Sequence, residues 1–322
     1  MMMTTLKRNS YLFLAATFIL AGWLGLGTPL VTVLFSYFVL CKLHVFNRNW
    51  MTVTLFVVLV SVICLALGYV LDQAVRTLPL VMERAVPQVI QVAKSHNLEL
   101  PFSDWDSLKS YTQIMMKGEM DHVTDAAKIA TKQFVFLIIG FVIAISLFLN
   151  SAKMLHLPEH EGEENLYVAF YSEIADRFRS LYQSFATVMG AQLLISTINT
   201  TLTSIFVIWI ALPHAVVVIG VTFLCGMLPI VGNLISNTVI VGIALTVSPE
   251  LAVWALAFLI VLHKLEYFLN SKIIGNQIKN PVWLTLIALI LGERLMGITG
   301  MILAPVILHF IRIEASQVKL KA

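Results

Sequence analysis

The stretch from Met51 to Leu71 contains no charged side chain over 21 residues. At about 1.5 Å of rise per residue, a helix of this length crosses the hydrocarbon core of a bilayer. The whole chain is 59% hydrophobic and 12% charged, with a mean hydropathy of +0.88, which is too apolar for a soluble domain. The sequence therefore predicts an all-α polytopic membrane protein with about eight to ten helical segments.

The first two apolar runs predict a hairpin. Tyr11 to Leu26 and Leu30 to Leu43 are joined at Gly27-Thr28-Pro29, and basic residues flank them. Because positive residues mark the cytoplasmic side of a membrane, we expect both chain termini to be cytoplasmic. We divide the chain into N-terminal membrane helices (1–71), a helical extramembrane insertion (72–132) and a membrane transport core (133–322).

Two amphipathic stretches lie outside the apolar runs. Apolar residues recur every three or four positions from Asp72 to His96, which predicts a helix that continues out of the third span and bends near Pro79 or Pro87. A small helical cap is expected to follow. In the core, residues 164–188 carry an aromatic stripe, which predicts a cytoplasmic interfacial helix ahead of a span from Gly190 to Ile210.

The last third of the chain consists of interrupted apolar segments. The interruptions fall at residues 228–233, 263–275, 279–281 and 291–300. A broken helix cannot face lipid, because each freed N–H or C=O group there costs several kcal/mol, so such backbone lies in protein or lines a wet cavity. We also expect a re-entrant or short hairpin whose two arms, Val282 to Leu291 and Ile298 to Ile311, meet at a tip formed by Gly292, Glu293 and Arg294.

Polar residues follow one face of the span that precedes the breaks. Such side chains either fasten helices together or line a hydrated route for a polar solute. We interpret them, with the polar residues beside the first break, as a substrate path: Gln192, Ser196, Asn199, Thr203, Pro229, Gly232, Asn233 and Asn237. Glu266, at the end of an apolar run, is either an ordinary interfacial residue or an ion-coupling group, with Lys264 as a candidate partner.

These segments also carry a family resemblance. Leu228-Pro229-Ile230-Val231-Gly232, Glu266 within KLEYFLNSKIIG, and Gly292 to Pro305 resemble the signature of the autoinducer-2 exporter family of bacterial membrane proteins. The resemblance runs from Tyr11 to Arg312. Two departures, Asn270-Ser271 and Asn233 where the family often has proline, leave the substrate open.

The resemblance implies an exporter of a small polar signalling molecule such as autoinducer-2, in the bacterial inner membrane and active in quorum sensing. A sodium/proton antiporter of the same family is the alternative, and a non-transporting scaffold or regulator is the second alternative. The expected partners are the lipid bilayer, a small polar solute, Na⁺ and H⁺. The resemblance also implies a homo-oligomer such as a pentamer.

Other chemistries lack a signature in the sequence. GxxxxGK[ST] is absent, which argues against an ATPase, and HExxH and GxSxG are absent, so we expect no enzyme. His156 and His160 stand four residues apart, but Pro158 between them predicts a solvated loop and not a metal site. We expect no cofactor, and no basic block long enough for nucleic acid.

Overall fold

The computed structural model describes residues 2–45, 47–95, 106, 107, 110, 123–154, 166–228, 231–273 and 281–316. Within these residues there are ten α-helices of 11 or more residues and no strand, so the predicted all-α fold is confirmed. In chain order the helices are α1 (Met2–Trp23), α2 (Gly27–Leu43), α3 (Asn49–Ser95), α4 (Val123–Met154), α5 (Leu166–Trp209), α6 (Ala215–Cys225), α7 (Val231–Leu245), α8 (Pro249–Ile273), α9 (Val282–Met296) and α10 (Ile298–Ser316).

Five of these helices are long and apolar enough to cross a membrane. They are α5 and α10 over their full lengths, together with Asn49–Thr77 of α3, Lys128–Asn150 of α4 and Pro249–Leu269 of α8. A sixth candidate is the pair formed by α1 and α2, which is bent by 119° at a short break. The protein is therefore a polytopic helical membrane protein, as its composition predicts.

The two longest helices are α3 and α5. Helix α3 continues through Pro79 and Pro87 as predicted for the stretch after the third span, whereas most of the predicted cap lies outside the described residues. Helix α5 joins the predicted interfacial helix and the following span into one element of 44 residues. The expected boundary near Gly190 is wrong because a single glycine inside a helix costs only about 1 kcal/mol, and no proline is present to end it.

The predicted break between α6 and α7 is confirmed, but the next one is not. Helix α6 ends at Cys225 and α7 begins at Val231. By contrast, α8 runs without interruption through His263 to Ile273, so the interruption predicted there is wrong over those residues. The physical reason is that this part of the sequence has charged and polar residues but neither glycine nor proline before Gly275.

The C-terminal hairpin turns later than predicted. Helix α9 extends to Met296, and the turn is made by Gly297, whose φ of 62° is the left-handed conformation that glycine adopts without strain. Gly292, Glu293 and Arg294 therefore lie within α9, and the prediction that they form the tip is wrong. The side chains of Glu293 and Arg294 are exposed, with Arg294 Nε 3.8 Å from Glu293 Oε2.

The chain forms two compact units. The first comprises Met1–Val60, Ala130–Ala191 and Asn276–Ala322, and its core includes Leu40, Phe56, Ala144 and Phe148. In this unit Gly292 and Gly300 bring the backbones of α9 and α10 into contact, since a Cβ atom on either glycine would clash with the carbonyl group of the other.

The second unit comprises Ser61–Ile129 and Gln192–Gly275. Its core is built by the C-terminal half of α5 together with α6, α7 and α8, through buried residues that include Val207, Val218, Ile240 and Ala255. Phe206 of α5 stacks on Phe258 of α8, with ring centroids 4.0 Å apart. This packing of α5, α7 and α8 positions the polar residues described next.

Candidate functional site

Glu266 is held by two asparagine side chains within the second unit. Nδ2 of Asn233 donates to both carboxylate oxygens, at 2.8 Å from Oε1 and 2.9 Å from Oε2. Nδ2 of Asn199 donates to Oε2 at 3.1 Å. Hydrogen bonds to a charged acceptor are roughly twice as strong as those between neutral groups, so the two amides fix the carboxylate among α5, α7 and α8.

The break between α6 and α7 lies beside this cluster. Gly232 is in the first turn of α7, and a Cβ atom there would clash with the carbonyl oxygen of Cys225 at the end of α6. Only glycine therefore permits the close approach of the two broken ends. One position further along α7 is Asn233, so the same close approach places its amide at Glu266.

Two residues of α5 satisfy the free carbonyl groups at the end of α6. Gln192 Nε2 donates to the Gly226 oxygen at 2.6 Å, and Ser196 Oγ donates to the Phe223 oxygen at 2.9 Å. The last carbonyls of a helix have no partner within the helix, and in an apolar environment they require one. For Gln192 and Ser196, the structure therefore supports the helix-fastening interpretation over a role in lining a path.

A small polar cavity adjoins Glu266. Its volume is about 20 Å³, enough for one water molecule or a small bare cation. The lining comes from α5 to α8 and the start of the break: Asn199, Thr203, Thr222, Gly226, Asn233, Ser236, Asn237, Ile240, Leu259, Leu262, His263 and Glu266. These lining residues include no lysine or arginine, so the Glu266 carboxylate makes the charge of the lining negative.

Two buried oxygen atoms in this lining have no hydrogen-bond partner among the described residues. They are Oδ1 of Asn199, whose residue is 6% exposed, and Oγ1 of Thr203, whose residue is fully buried. A buried polar atom without a partner costs about 1–3 kcal/mol. Because both atoms can accept or coordinate, and the cavity has room, a bound water or cation would satisfy them.

The structure brings together part of the predicted path. Asn199, Thr203, Asn233 and Asn237 line the cavity with Glu266, and Gly232 forms the close contact behind it. Pro229 lies outside the described residues. Lys264 is exposed and is not among the lining residues, so the partners of Glu266 are amides and not the predicted lysine.

Three further polar residues line the cavity but are not part of the substrate path predicted from the sequence: Thr222, Ser236 and His263. For His263 and Ser236, the spacing along the sequence indicates a place at the site. His263 precedes Glu266 by three positions and Ser236 follows Asn233 by three, which places each on the face of its helix that carries a site residue. Thr222 has no such signal, because its neighbours along α6 are apolar and its hydroxyl donates to the Val218 oxygen at 2.7 Å.

The first unit also contains a buried charged cluster that the sequence does not predict. Arg177 of α5 donates from Nη1 to Glu314 Oε2 at 2.6 Å and from Nη2 to Glu173 Oε2 at 3.0 Å. The Tyr11 hydroxyl donates to the same Glu314 oxygen at 2.7 Å, and the guanidinium lies over the Tyr11 ring. These contacts join α1, α5 and α10.

Comparison with known proteins agrees with a membrane transport family. Over 145 residues the chain is 31% identical to a Bacillus subtilis (strain 168) protein named "Putative transport protein YdbI". The aligned part is 44% of this chain and 41% of that relative, so the chain spans about two fifths of the curated relative that it matches. No solved structure matches the chain. The family model for AI-2E family transporters matches residues 11–317, and the protein therefore belongs to the AI-2E transporter family.

Proposed function

We propose that the protein is a secondary transporter that moves a small polar solute across the membrane, with Glu266 as its ion-coupling group. The observation that carries this proposal is the Glu266 carboxylate, held by two amides beside a polar cavity at a broken helix. Ionisable groups at membrane depth are costly and typically mark ion or substrate routes. Membership of a transporter family supports the same conclusion.

The first candidate solute is an autoinducer-2-like furanosyl signal, exported without an ATPase domain in this chain. The family relationship motivates this choice. The cavity of about 20 Å³ is too small for a sugar-sized molecule and has room for one water or one small cation. Passage of such a solute would require α6 and α7 to move apart at their break, where Gly232 and Cys225 are in contact.

Sodium/proton antiport is the second candidate function. It is favoured by the size of the cavity and by its oxygen donors, which include the Glu266 carboxylate, Asn199 Oδ1 and Thr203 Oγ1. Hard cations such as Na⁺ prefer oxygen ligands, and a carboxylate binds either a proton or a metal cation. In this version Na⁺ and H⁺ compete for Glu266, and each excludes the other from the cavity.

A non-transporting scaffold is the third candidate. Gln192 and Ser196 support it, because their hydrogen bonds fasten α5 to α6 and neither residue lines the cavity. In a scaffold the Glu266 cluster would serve the same purpose. Substitutions at Glu266 and Asn199 would then lower stability or assembly while any solute flux stayed unchanged.

The proposal includes a location and an assembly. We place the protein in the bacterial inner membrane with both termini in the cytoplasm, as the distribution of basic residues favours. We also infer a homo-oligomer such as a pentamer. The segment Asn49–Thr77 has apolar surface available for association, since only 6% of its apolar stretch is buried within the chain and the rest is covered by lipid or by another subunit.

Transport by the purified protein in sealed liposomes tests the function. Uptake of autoinducer-2 and of ²²Na⁺ is measured under imposed sodium and proton gradients for the wild type, Glu266→Gln and Glu250→Gln. Glu250 is the matched control, because it is an exposed glutamate on the same helix. We expect Glu266→Gln to lower gradient-driven flux by about tenfold or more, which corresponds to about 1.4 kcal/mol, and Glu250→Gln to leave it unchanged.

Two results would contradict the proposal. One is the absence of flux of either solute from wild-type liposomes in which a control transporter is active. The other is a Glu266→Gln protein with wild-type flux and wild-type response to both gradients. A variant that moves autoinducer-2 normally but ignores sodium would assign Glu266 to coupling alone.

A further inference from the structure

A cavity in the first unit is lined by residues of α5 and α10. Its volume is about 440 Å³, whereas the space beside Glu266 is about 20 Å³. Cavities of roughly 300–1,000 Å³ are typical of small-molecule sites. On α5 the lining follows one helix face at three- and four-residue spacing, which we call the α5 stripe: Ser180, Gln183, Ser184 and Thr187. The cavity is therefore large enough for a solute that the space beside Glu266 excludes.

The polar side chains of the α5 stripe are not used to hold the protein together. Among the described residues, none of the four has a hydrogen-bond partner for its side chain. By contrast, Thr197, Thr201 and Ser204 of the same helix each donate to the carbonyl oxygen four residues earlier. Such local bonds satisfy a hydroxyl group in a helix without any ligand. The hydroxyl and amide groups of the α5 stripe are therefore available to a molecule in the cavity.

His309 of α10 lines the same cavity. The residue is only 5% exposed, and its Nδ1 atom has no hydrogen-bond partner among the described residues. This is unusual, because most buried polar atoms are satisfied by protein, water or ligand. An imidazole nitrogen either donates or accepts a hydrogen bond, so a hydroxyl group of a bound molecule suits it in both forms.

The lining offers no charge to a ligand. Its residues include no aspartate, glutamate or lysine, and its single arginine, Arg312, already interacts within the protein. What remains is a set of hydroxyl, amide and imidazole groups, together with the apolar side chain of Ile313. Hydroxyl and amide groups both donate and accept hydrogen bonds. The complementary ligand therefore also carries donors and acceptors, has apolar C–H surface and bears no net charge.

We propose that this cavity binds a neutral solute with several hydroxyl groups, of the size of a sugar ring. The solute pairs its hydroxyl groups with the α5 stripe on one side and with His309 on the other. An anion gains nothing from this lining, because no unengaged cation is there to pair with it. The proposal concerns binding, and only the further step that the bound solute is also transported rests on the proposed function.

Protection of an introduced cysteine measures this binding, even when it is weak. Thr187→Cys is made in the full-length chain after its three own cysteines are replaced by alanine. Thr187 is exposed, so N-ethylmaleimide has access to a thiol there in the purified protein in detergent. The probes are D-ribose, D-glucose and ribose 5-phosphate, at constant ionic strength. Ribose 5-phosphate has the same ring as ribose and adds a negative charge, so the pair tests whether the site prefers a neutral ligand.

Arg179→Cys in the same background is the matched control. The Arg179 side chain is 53% exposed on the same helix and does not line the cavity. We expect ribose or glucose to slow the alkylation of Thr187→Cys and to leave that of Arg179→Cys unchanged. Ribose 5-phosphate should protect no better than ribose.

Two substitutions at His309, each added to Thr187→Cys, test its part in binding. His309→Leu should raise the sugar concentration needed for half-maximal protection by about tenfold, because a buried hydrogen bond to the ligand is lost. His309→Gln keeps a donor and an acceptor and should raise it less. Neither should lower the melting temperature, since the Nδ1 atom has no partner in the protein to lose. Unchanged melting shows that the comparison concerns folded protein.

Three results would overturn the proposal: no protection by either sugar, tighter binding of ribose 5-phosphate than of ribose, or equal protection in His309→Leu and its parent. The outcome is separate from that of the proposed function. Glu266→Gln, added to Thr187→Cys, should leave the protection intact, because Glu266 does not line this cavity. Protection without flux in liposomes would contradict the proposed function alone, and flux without protection would contradict this binding site alone.

Discussion

The side-chain amide of Asn233 spans both carboxylate oxygens of Glu266, at 2.8 and 2.9 Å. Asn233 belongs to the first turn of α7, directly after the break that follows α6. Any proton or cation that binds Glu266 must share the carboxylate with this amide. In the proposed mechanism, the ionic state of Glu266 therefore acts on the position of the broken helix end.

The first prediction concerns Asn233→Ala. This variant removes both of the bonds that Asn233 makes to Glu266 and leaves the half-buried carboxylate with Asn199 as its donor. Loss of a partner from a charged group costs about 1–3 kcal/mol, so we expect a lower melting temperature and weaker coupling to the sodium gradient. Both are measured on the purified protein, in detergent and in liposomes respectively.

Thr238→Val serves as the control for Asn233→Ala. Thr238 is exposed on the same helix, and its hydroxyl donates only to the Leu234 oxygen of the preceding turn. We expect it to leave both melting and coupling unchanged. An Asn233→Ala protein that responds to sodium as the wild type does would show that the amide has no part in coupling.

The second prediction concerns the two glycines of α7. Gly232→Ala would place a Cβ atom against the Cys225 carbonyl oxygen, so the ends of α6 and α7 must separate. Gly242→Ala meets no atom within 4 Å. We expect Gly232→Ala to lower the melting temperature strongly and to abolish flux. Gly242→Ala should stabilise the helix by up to about 1 kcal/mol.

These two variants separate close packing from helix propensity, since both replace glycine by alanine in one helix. Equal melting temperatures for the two proteins would contradict the close approach of Gly232 to Cys225. Thermal unfolding in detergent and liposome flux provide the measurements.

The residues of the site are more readily predicted from the sequence than the helix ends are. Asn199, Asn233 and Glu266 stand out in sequence because each is polar within an apolar run. Their convergence on one carboxylate depends on how α5, α7 and α8 pack, which local patterns do not contain. The same limit explains why Lys264 is not the partner of Glu266 that the sequence predicts, because proximity along the chain does not decide which side of α8 faces the bundle.

The helix ends differ from the predicted ones where a glycine or a charged residue predicts a break. Gly292 lies within α9 and serves as a contact with Gly300, whereas Gly297 makes the turn with its positive φ. Sequence alone does not distinguish these two uses of glycine. The pairing of Arg177 with Glu314 is not predictable from the sequence for a related reason, since the two residues are 137 positions apart and only the fold brings them together.

The third prediction distinguishes residues that fasten helices from residues that take part in coupling. Ser196→Ala removes the bond to the Phe223 oxygen at the end of α6. We expect the free energy of unfolding to fall by about 1 kcal/mol, because one buried hydrogen bond is lost, while the response of flux to sodium stays as in the wild type. Thr197→Ala, an exposed hydroxyl on the next residue, is the control for stability. If the flux of the Ser196→Ala protein responded to sodium differently from that of the wild type, Ser196 would be part of the substrate path, as the sequence predicts.

The last prediction concerns the buried ion pair of the first unit. Glu314→Gln removes the negative charge that faces Arg177, whose side chain is 10% exposed, and leaves Glu173 as its remaining acid. Breaking a buried pair by neutralising one partner typically costs about 3–5 kcal/mol, since the other charge stays buried. Thermal unfolding should therefore show a large loss of stability, and Arg76→Gln, which disrupts an exposed pair with Asp72, should cost less than about 0.5 kcal/mol. If Glu314→Gln and Arg76→Gln melt at the same temperature, the pair does not hold α5 and α10 together. The triple variant Glu173→Gln, Arg177→Met and Glu314→Gln supplies the further check, because removing all three charges of the cluster should restore part of the stability that Glu314→Gln alone loses.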